Sequence, residues 1–495
     1  MGQFLKINNS IQMADNSLTS KTVHGLGWSA IENITKLGIT FIVSIVLARL
    51  LSPDEYGLIG ILTIFISVFT AIVDSGFTNA LIRKIDITDE DYSTVFYTNI
   101  VVSFVMALIL FFSARPIAIF FEREELVPLT QVMSSILIIN AFSIVHRARA
   151  TKMLDFRIQT KITFFSSIFS GVVGITMAYA GYGVWALVGQ QVSVNLLTTI
   201  LFWTYSKWFP FKKFSSRSFQ EMWAFGWKLL VSSLLDTTWK EIYQIVIGKC
   251  YSPVTLGLFT RAKQFSDLCS TNLTSVVQRV SFPVLSSIQD DPKRLKDAYR
   301  RVIKTTMFPT FVFMFGMASI AKPMILVLIG EQWIECVPML QLICIYGALY
   351  PLHAINLNML QVKGRSDLFL RLEIVKKIIA VVPILMGVFL NIYLMLIGTI
   401  IFNFVSYYLN AFYSGSLLNY SFKEQVMDIM PSFLIALVMS ILLYSFSFID
   451  VNPFLQLAIQ LILGCAIVLV ICEFIKLKEY IEIKGIIASM IKKQL

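Results

Sequence analysis

Four stretches of this 495-residue chain place charged and polar side chains at helical spacing inside otherwise apolar sequence. Ser29, Glu32, Asn33, Lys36 and Thr40 form one stripe. Lys228, Ser232, Asp236 and Lys240 recur every four residues, with Glu241 beside them. Thr63, Ser67, Thr70, Asp74 and Thr78 step by threes and fours, and so do Lys263, Asp267, Ser270, Thr274 and Gln278. Residues three and four apart share one face of a helix, so each set predicts a polar stripe.

The residue types suit binding rather than bond making. Lys36, Lys228, Lys240, Lys263 and Arg279 exceed the cations that local carboxylates need, and surplus ammonium and guanidinium groups suit an anion such as a phosphate. Asp74, Asp236 and Asp267 are the carboxylates able to carry a proton or Na⁺ if desolvated. Glu32–Lys36 and Asp236–Lys240 also have the i,i+4 spacing of ion pairs that merely hold helices together, so both readings stand. His24, His146 and His353 lie far apart, and the six cysteines form no CxxC pair; no metal site and no disulfide is expected. "DED" at Asp89–Asp91 reads as a solvated helix start rather than a metal–nucleotide motif, and there is no Walker A motif. Neither a cofactor nor an enzyme activity is expected.

The elements that must carry these stripes follow from composition. The chain is 56% hydrophobic and 14% charged, with a mean hydropathy of +0.74. A soluble protein is about 25% charged. Apolar runs long enough to cross a bilayer core of roughly 30 Å recur throughout. They are too long for barrel strands of about 9–11 residues. The pattern predicts an all-α membrane protein with about fourteen transmembrane helices. These fall near 25–50, 54–82, 92–114, 128–146, 162–180, 183–206, 219–248, 254–282, 302–321, 337–360, 368–390, 392–418, 426–448 and 454–473. No cleaved signal peptide is expected, because the N-terminus is polar up to His24.

Lysine and arginine concentrate in alternate connections: "HRARATKMLDFRIQTK", "SKWFPFKKFSSR" and "DDPKRLKDAYRRVIK" are rich in them, while "AGYG", "NIY" and "IDVNP" have none. The positive-inside rule then makes both termini cytoplasmic. The net charge of +11 sits mostly on that face and reads as a topology determinant near anionic lipid. Nothing supports a nucleic-acid partner.

The chain also repeats itself. "LLSPDEYGL" and "CYSPVTLGL" align at an offset of 200, and "GLGW" and "AFGW" end at Trp28 and Trp227, an offset of 199. The two polar stripes of Asp74 and Asp267 correspond at the same offset. An even number of spans separates the copies, so they enter the membrane in the same direction, as a parallel repeat with a pseudo-two-fold axis along the membrane normal. The expected organisation is a cytoplasmic segment 1–24, an N-lobe 25–206 of six helices, a linker 207–218, a C-lobe 219–420 of six helices, and 421–495 with two further helices and a cytoplasmic tail. A wet cavity between the lobes would satisfy all four stripes.

With these features the chain resembles the multidrug/oligosaccharidyl-lipid/polysaccharide exporter superfamily, and within it the Wzx-type flippases of the colanic-acid-exporter branch. The matching stretches are "LSPDEYGL" (51–58), "DSGFTNALIRKIDITDED" (74–91), "GYGVWALVGQQ" (181–191), "SFPVLSSIQDD" (281–291), "GEQW" (330–333) and "GRSDLFLRLEI" (364–374). The resemblance implies a V-shaped two-lobe transporter in the bacterial inner membrane. It would turn undecaprenyl-diphosphate-linked oligosaccharide units from the inner to the outer leaflet, coupled to H⁺ or Na⁺. Glu32, Lys36, Lys228, Lys240, Lys263 and Arg279 would line the cavity, and Asp74, Asp236 or Asp267 would carry the ion. Two other classes are a drug/cation antiporter of the same superfamily, which predicts carboxylates and aromatics in excess of cations, and a glycan polymerase or ligase, which predicts a long outer loop bearing Arg or His.

Overall fold

The structure, a computed structural model, describes residues 37–494 except 75, 154 and 450. Glu32 and Lys36 therefore lie outside the described residues. Every regular element among the described residues is helical. The chain divides into two compact units, Met1–Gly257 and Leu258–Leu495.

The first unit holds α1 (Leu37–Leu50), α2 (Pro53–Asp74), α3 (Phe77–Arg83), α4 (Asp89–Phe112), α5 (Ala114–Phe121), α6 (Leu126–Lys152), α7 (Phe156–Tyr179), α8 (Trp185–Ser206) and α9 (Ser216–Cys250). Its framework is α6, packed against α2, α4 and α8, with α7 on α8 and α9 on α2. The expected span 54–82 is broken: α2 stops at Asp74, and Gly76, at φ 69°, starts α3 on a new course. An added Cβ on Gly76 would lie 2.5 Å from the Gly226 carbonyl oxygen, so the glycine serves both the turn and the close approach of α9.

The second unit holds most of α10 (Pro253–Ser287), then α11 (Pro292–Ser319), α12 (Ala321–Leu328), α13 (Cys336–Gly347), α14 (Tyr350–Val362), α15 (Ser366–Ile379), α16 (Val381–Phe389), α17 (Ile392–Leu418), α18 (Phe422–Ser445), α19 (Pro453–Ile475) and α20 (Lys478–Gln494). Here α17 packs against α13, α14 and α16, while α11 packs on α18 and α20. The expected span 368–390 breaks at Ala380, because the Pro383 ring would clash with the carbonyl of Ile379 four residues back.

By length and composition, ten described helices can cross a membrane, with α13 and α14 counting together as one. The two 35-residue helices α9 and α10 are long enough, but they carry the charged stripes. All fourteen expected spans fall on helix, wholly or in part. Large apolar side chains point outward around both units, among them Phe112, Phe169, Ile462 and Phe474. Such extensive apolar exposure suits lipid rather than water. The chain is a multi-pass membrane protein.

Helix starts explain several polar residues. Thr88 and Asp91 close a capping box at the head of α4, so "DED" is a helix start as expected, but Asp91 is buried against Lys84 rather than solvated, because it caps the helix and pairs at once. Ser421 and Glu424 do the same for α18.

Candidate functional site

The charged stripe of α9 is displayed, not buried. A 35-residue helix is about 50 Å long at 1.5 Å per residue, so Lys228, Asp236 and Lys240 stand well inside it. Lys228 is exposed. Asp236 and Lys240 form the expected i,i+4 ion pair at 2.7 Å, with side chains 58% and 70% exposed. Glu241 accepts a hydrogen bond from Gln244. A lipid-facing helix cannot hold such charges at membrane depth without large cost, so this face requires water or a polar ligand.

On α10, Lys263 and Asp267 pair at 2.6 Å and are about two-fifths exposed, and Thr271 donates to Asp267 at 3.3 Å. Arg279 is exposed further along. Among the described residues neither Lys228 nor Arg279 has a carboxylate within ion-pair distance. The expected stripe divides here. Ser270 and Thr274 turn inward and are almost fully buried, bonding back to the carbonyls of Ser266 and Ser270. An added Cβ on Gly347 of α13 would meet the Ser266 hydroxyl at 2.8 Å, which shows how tightly that side of α10 is covered. Gln278 reaches Asn358 at 3.3 Å. The accessible face of α10 therefore runs through Lys263, Asp267 and Thr271.

Asp74 closes α2 half-buried. It accepts from the Thr78 hydroxyl, and the Arg147 guanidinium lies within its field. Among the described residues it is the one of the three aspartates without a lysine in contact.

The duplicated turns meet. Gly57 of α2 lies so close to the first turn of α10 that an added Cβ would stand 1.8 Å from the Pro253 carbonyl oxygen. Gly257 bears the reciprocal relationship to Pro53 at 2.0 Å. Two ion pairs flank this crossing, Arg123 with Asp54 and Lys249 with Glu122 at 3.0 Å. Gly248 packs against Phe121, Leu256 and Ile61 beside it.

Two polar clusters were not anticipated. His353 on α14 contacts Asn403 and Asn410 of α17, each at 3.1 Å, and Glu373 and Lys376 of α15 pair beside it at 2.5 Å. Nearby, the Tyr299 hydroxyl donates to Asn356 at 2.8 Å, and Ser414 joins them. The seven-residue step from Asn403 to Asn410 was the one available signal, since it puts both on one face of α17.

The cations of "DDPKRLKDAYRRVIK" are also less free than their abundance suggested. Arg300 forks onto Asp428, whose other partner is Tyr420. Lys304 pairs with Glu479 at 2.7 Å, Arg301 with Glu482 at 3.0 Å, and Lys296 with Glu424 at 3.5 Å. They bind α11 to α18 and α20.

The family model described as polysaccharide biosynthesis protein matches residues 46–338. The chain belongs to this family. It is 26% identical over 355 residues to the teichuronic acid biosynthesis protein TuaB of Bacillus subtilis (strain 168), covering 71% of this chain and 73% of that one. It is 25% identical over 330 residues to the succinoglycan biosynthesis transport protein ExoT of Rhizobium meliloti (strain 1021), covering 66% and 67%. The fold matches that of the lipid II flippase MurJ in an inward closed conformation, with a TM-score of 0.70 at 14% identity, over 91% of this chain and 98% of that one.

Proposed function

We propose that this family member translocates undecaprenyl-diphosphate-linked oligosaccharide units across the plasma membrane for surface polysaccharide assembly. The observation that carries the proposal is the exposed charge along α9 and α10, where Lys228 and Arg279 lack carboxylate partners among the described residues. A diphosphate travelling through the membrane needs such cations, and glycan hydroxyls need the polar groups beside them. Membership of a polysaccharide-biosynthesis family, a relative named as a transport protein, and the fold of a lipid II flippase support the same reading.

In this account Lys228, Lys240, Lys263, Arg279 and Lys36 of the preceding stripe face the diphosphate, and Glu32 lines the same cavity without touching it. In this reading both termini are cytoplasmic. Asp74 is the first candidate for ion coupling, because Asp236 and Asp267 already hold lysines. The binding step is charge neutralisation, and no covalent step is assigned to the chain.

The test is reconstitution into liposomes with a lipid-linked oligosaccharide, following its appearance in the outer leaflet. Translocation that depends on the protein supports the proposal. Movement of organic cations with no movement of the lipid-linked glycan would favour the antiporter. Replacing Asp74, Asp236 and Asp267 by Asn with no change in the pH or Na⁺ dependence would refute the coupling role.

A further inference from the structure

An open groove of about 840 Å³ lies on the first unit between α6 at Phe142 and the last turns of α8, within the size range of small-molecule sites. Phe142, Ile200, Trp203 and Phe209 form its apolar walls, and Lys207 stands at its end. The wall polar groups are already satisfied. The Trp203 indole donates to the Phe142 carbonyl at 3.0 Å, Thr199 to that of Ile139 at 3.0 Å, and Thr204 to that of Leu201 at 2.9 Å. The floor is fixed by ring contacts of Trp203 with His146 at 4.9 Å and Phe209 at 5.6 Å. What remains open to a ligand is apolar surface plus one ammonium group.

Two further observations specify the occupant. Lys207 ends α8 at φ 47°, a left-handed conformation in which glycine or asparagine is the usual choice. The linker then exposes Phe209, Phe211 and Phe214 alongside Lys212 and Lys213. Aromatic rings interleaved with lysines at a helix end are the pattern of a membrane interface facing anionic headgroups. Among the described residues no carboxylate lies within ion-pair distance of Lys207.

We propose that this groove binds an anionic glycerophospholipid, with one acyl chain against Phe142, Ile200 and Trp203 and the phosphate on the Lys207 ammonium. The charge complements a phosphate, and the satisfied, ring-lined walls complement a hydrocarbon chain. The site is separate from the striped faces of α9 and α10 and stands or falls independently of the transport reading.

The test is native mass spectrometry of the full chain titrated with phosphatidylglycerol or phosphatidylcholine. The wild type retains one phosphatidylglycerol in preference to phosphatidylcholine. Lys207→Gly removes the ammonium and suits the left-handed backbone, so it leaves the fold intact and lowers that preference about five-fold, the effect of one cation at a lipid surface. Ile200→Trp fills the groove and lowers retention of both lipids. Equal retention of the two lipids by the wild type overturns the proposal. So does a Lys207→Gly variant that keeps the preference, or a preference lost only when Lys212 and Lys213 are replaced by Gln. Melting curves of each variant in detergent separate lost binding from lost fold.

Discussion

Gly57 and Pro253 are 196 positions apart in sequence, yet no side chain fits between them: an added Cβ on Gly57 would stand 1.8 Å from the Pro253 carbonyl oxygen. Gly257 and Pro53 repeat the relationship in reverse at 2.0 Å. The repeated Ser-Pro…Gly-Leu pattern is thus a pair of helix starts that interlock, each glycine receiving the other turn's backbone. Gly57→Ala or Gly257→Ala forces the two turns apart. Each change is expected to cost about 1–3 kcal/mol, as overpacking does. Because both glycines serve one crossing, the double variant should cost less than the sum. Gly316→Ala is the control. Its new carbon meets only the Met439 methyl at 3.4 Å, and melting should be unchanged or slightly raised. Thermal melts in detergent check all four variants.

Lys228 and Arg279 are exposed, so replacing either by Gln should leave stability within about 0.5 kcal/mol. Transport of a diphosphate-linked substrate should fall about ten-fold for each lost charge-assisted contact. Paired melting and transport assays distinguish this from a merely structural role, which would move both together.

Asp428 is nearly buried, and its carboxylate is satisfied by Arg300 and Tyr420. Arg300→Met leaves that acceptor short of partners and should destabilise by about 1–3 kcal/mol. Tyr299→Phe removes the donor to Asn356 in the buried cluster and should cost a similar amount. Chemical denaturation of the solubilised protein measures both.

Lys84, in the loop after α3, donates to Asp91 at 3.0 Å and to Glu221 at 2.9 Å. Burial opposes its charge, but the bonds to Glu221 and Asp91 outweigh that and raise its pKa above the ordinary lysine value. A raised lysine stabilises the folded state fully below its unfolded pKa of about 10.4, and the contribution is lost as pH rises through the higher folded value. Lys84→Met should therefore lower the melting temperature by a constant amount across the neutral range. The gap should close only in strong alkali. Melts at a series of pH values check the sign.

Much of the architecture is legible in the sequence because helices in lipid must be long and apolar, so hydropathy locates them. The polar stripes are legible because helical spacing is local. Which way a stripe faces is not local. Ser270 and Thr274 obey the spacing of Lys263 and Asp267, yet both are buried, Ser270 beside Gly347 of α13. The breaks at Gly76 and Ala380 show the same limit, since a long apolar run reads as one span whether or not a glycine or proline turns it. The partners Arg300–Asp428 and His353–Asn403 lie on different helices, 128 and 50 residues apart, and no periodicity connects them. Glu32 and Lys36 remain expectations from spacing alone.

The most direct test of the transport claim is mass spectrometry of undecaprenyl-linked intermediates in the host after depletion of this protein. The account predicts that complete repeat units accumulate on their lipid carrier while surface glycan is lost. If no such units accumulate, in a host confirmed to make them and to lack a redundant exporter, the account is contradicted and the charged faces of α9 and α10 serve another cargo.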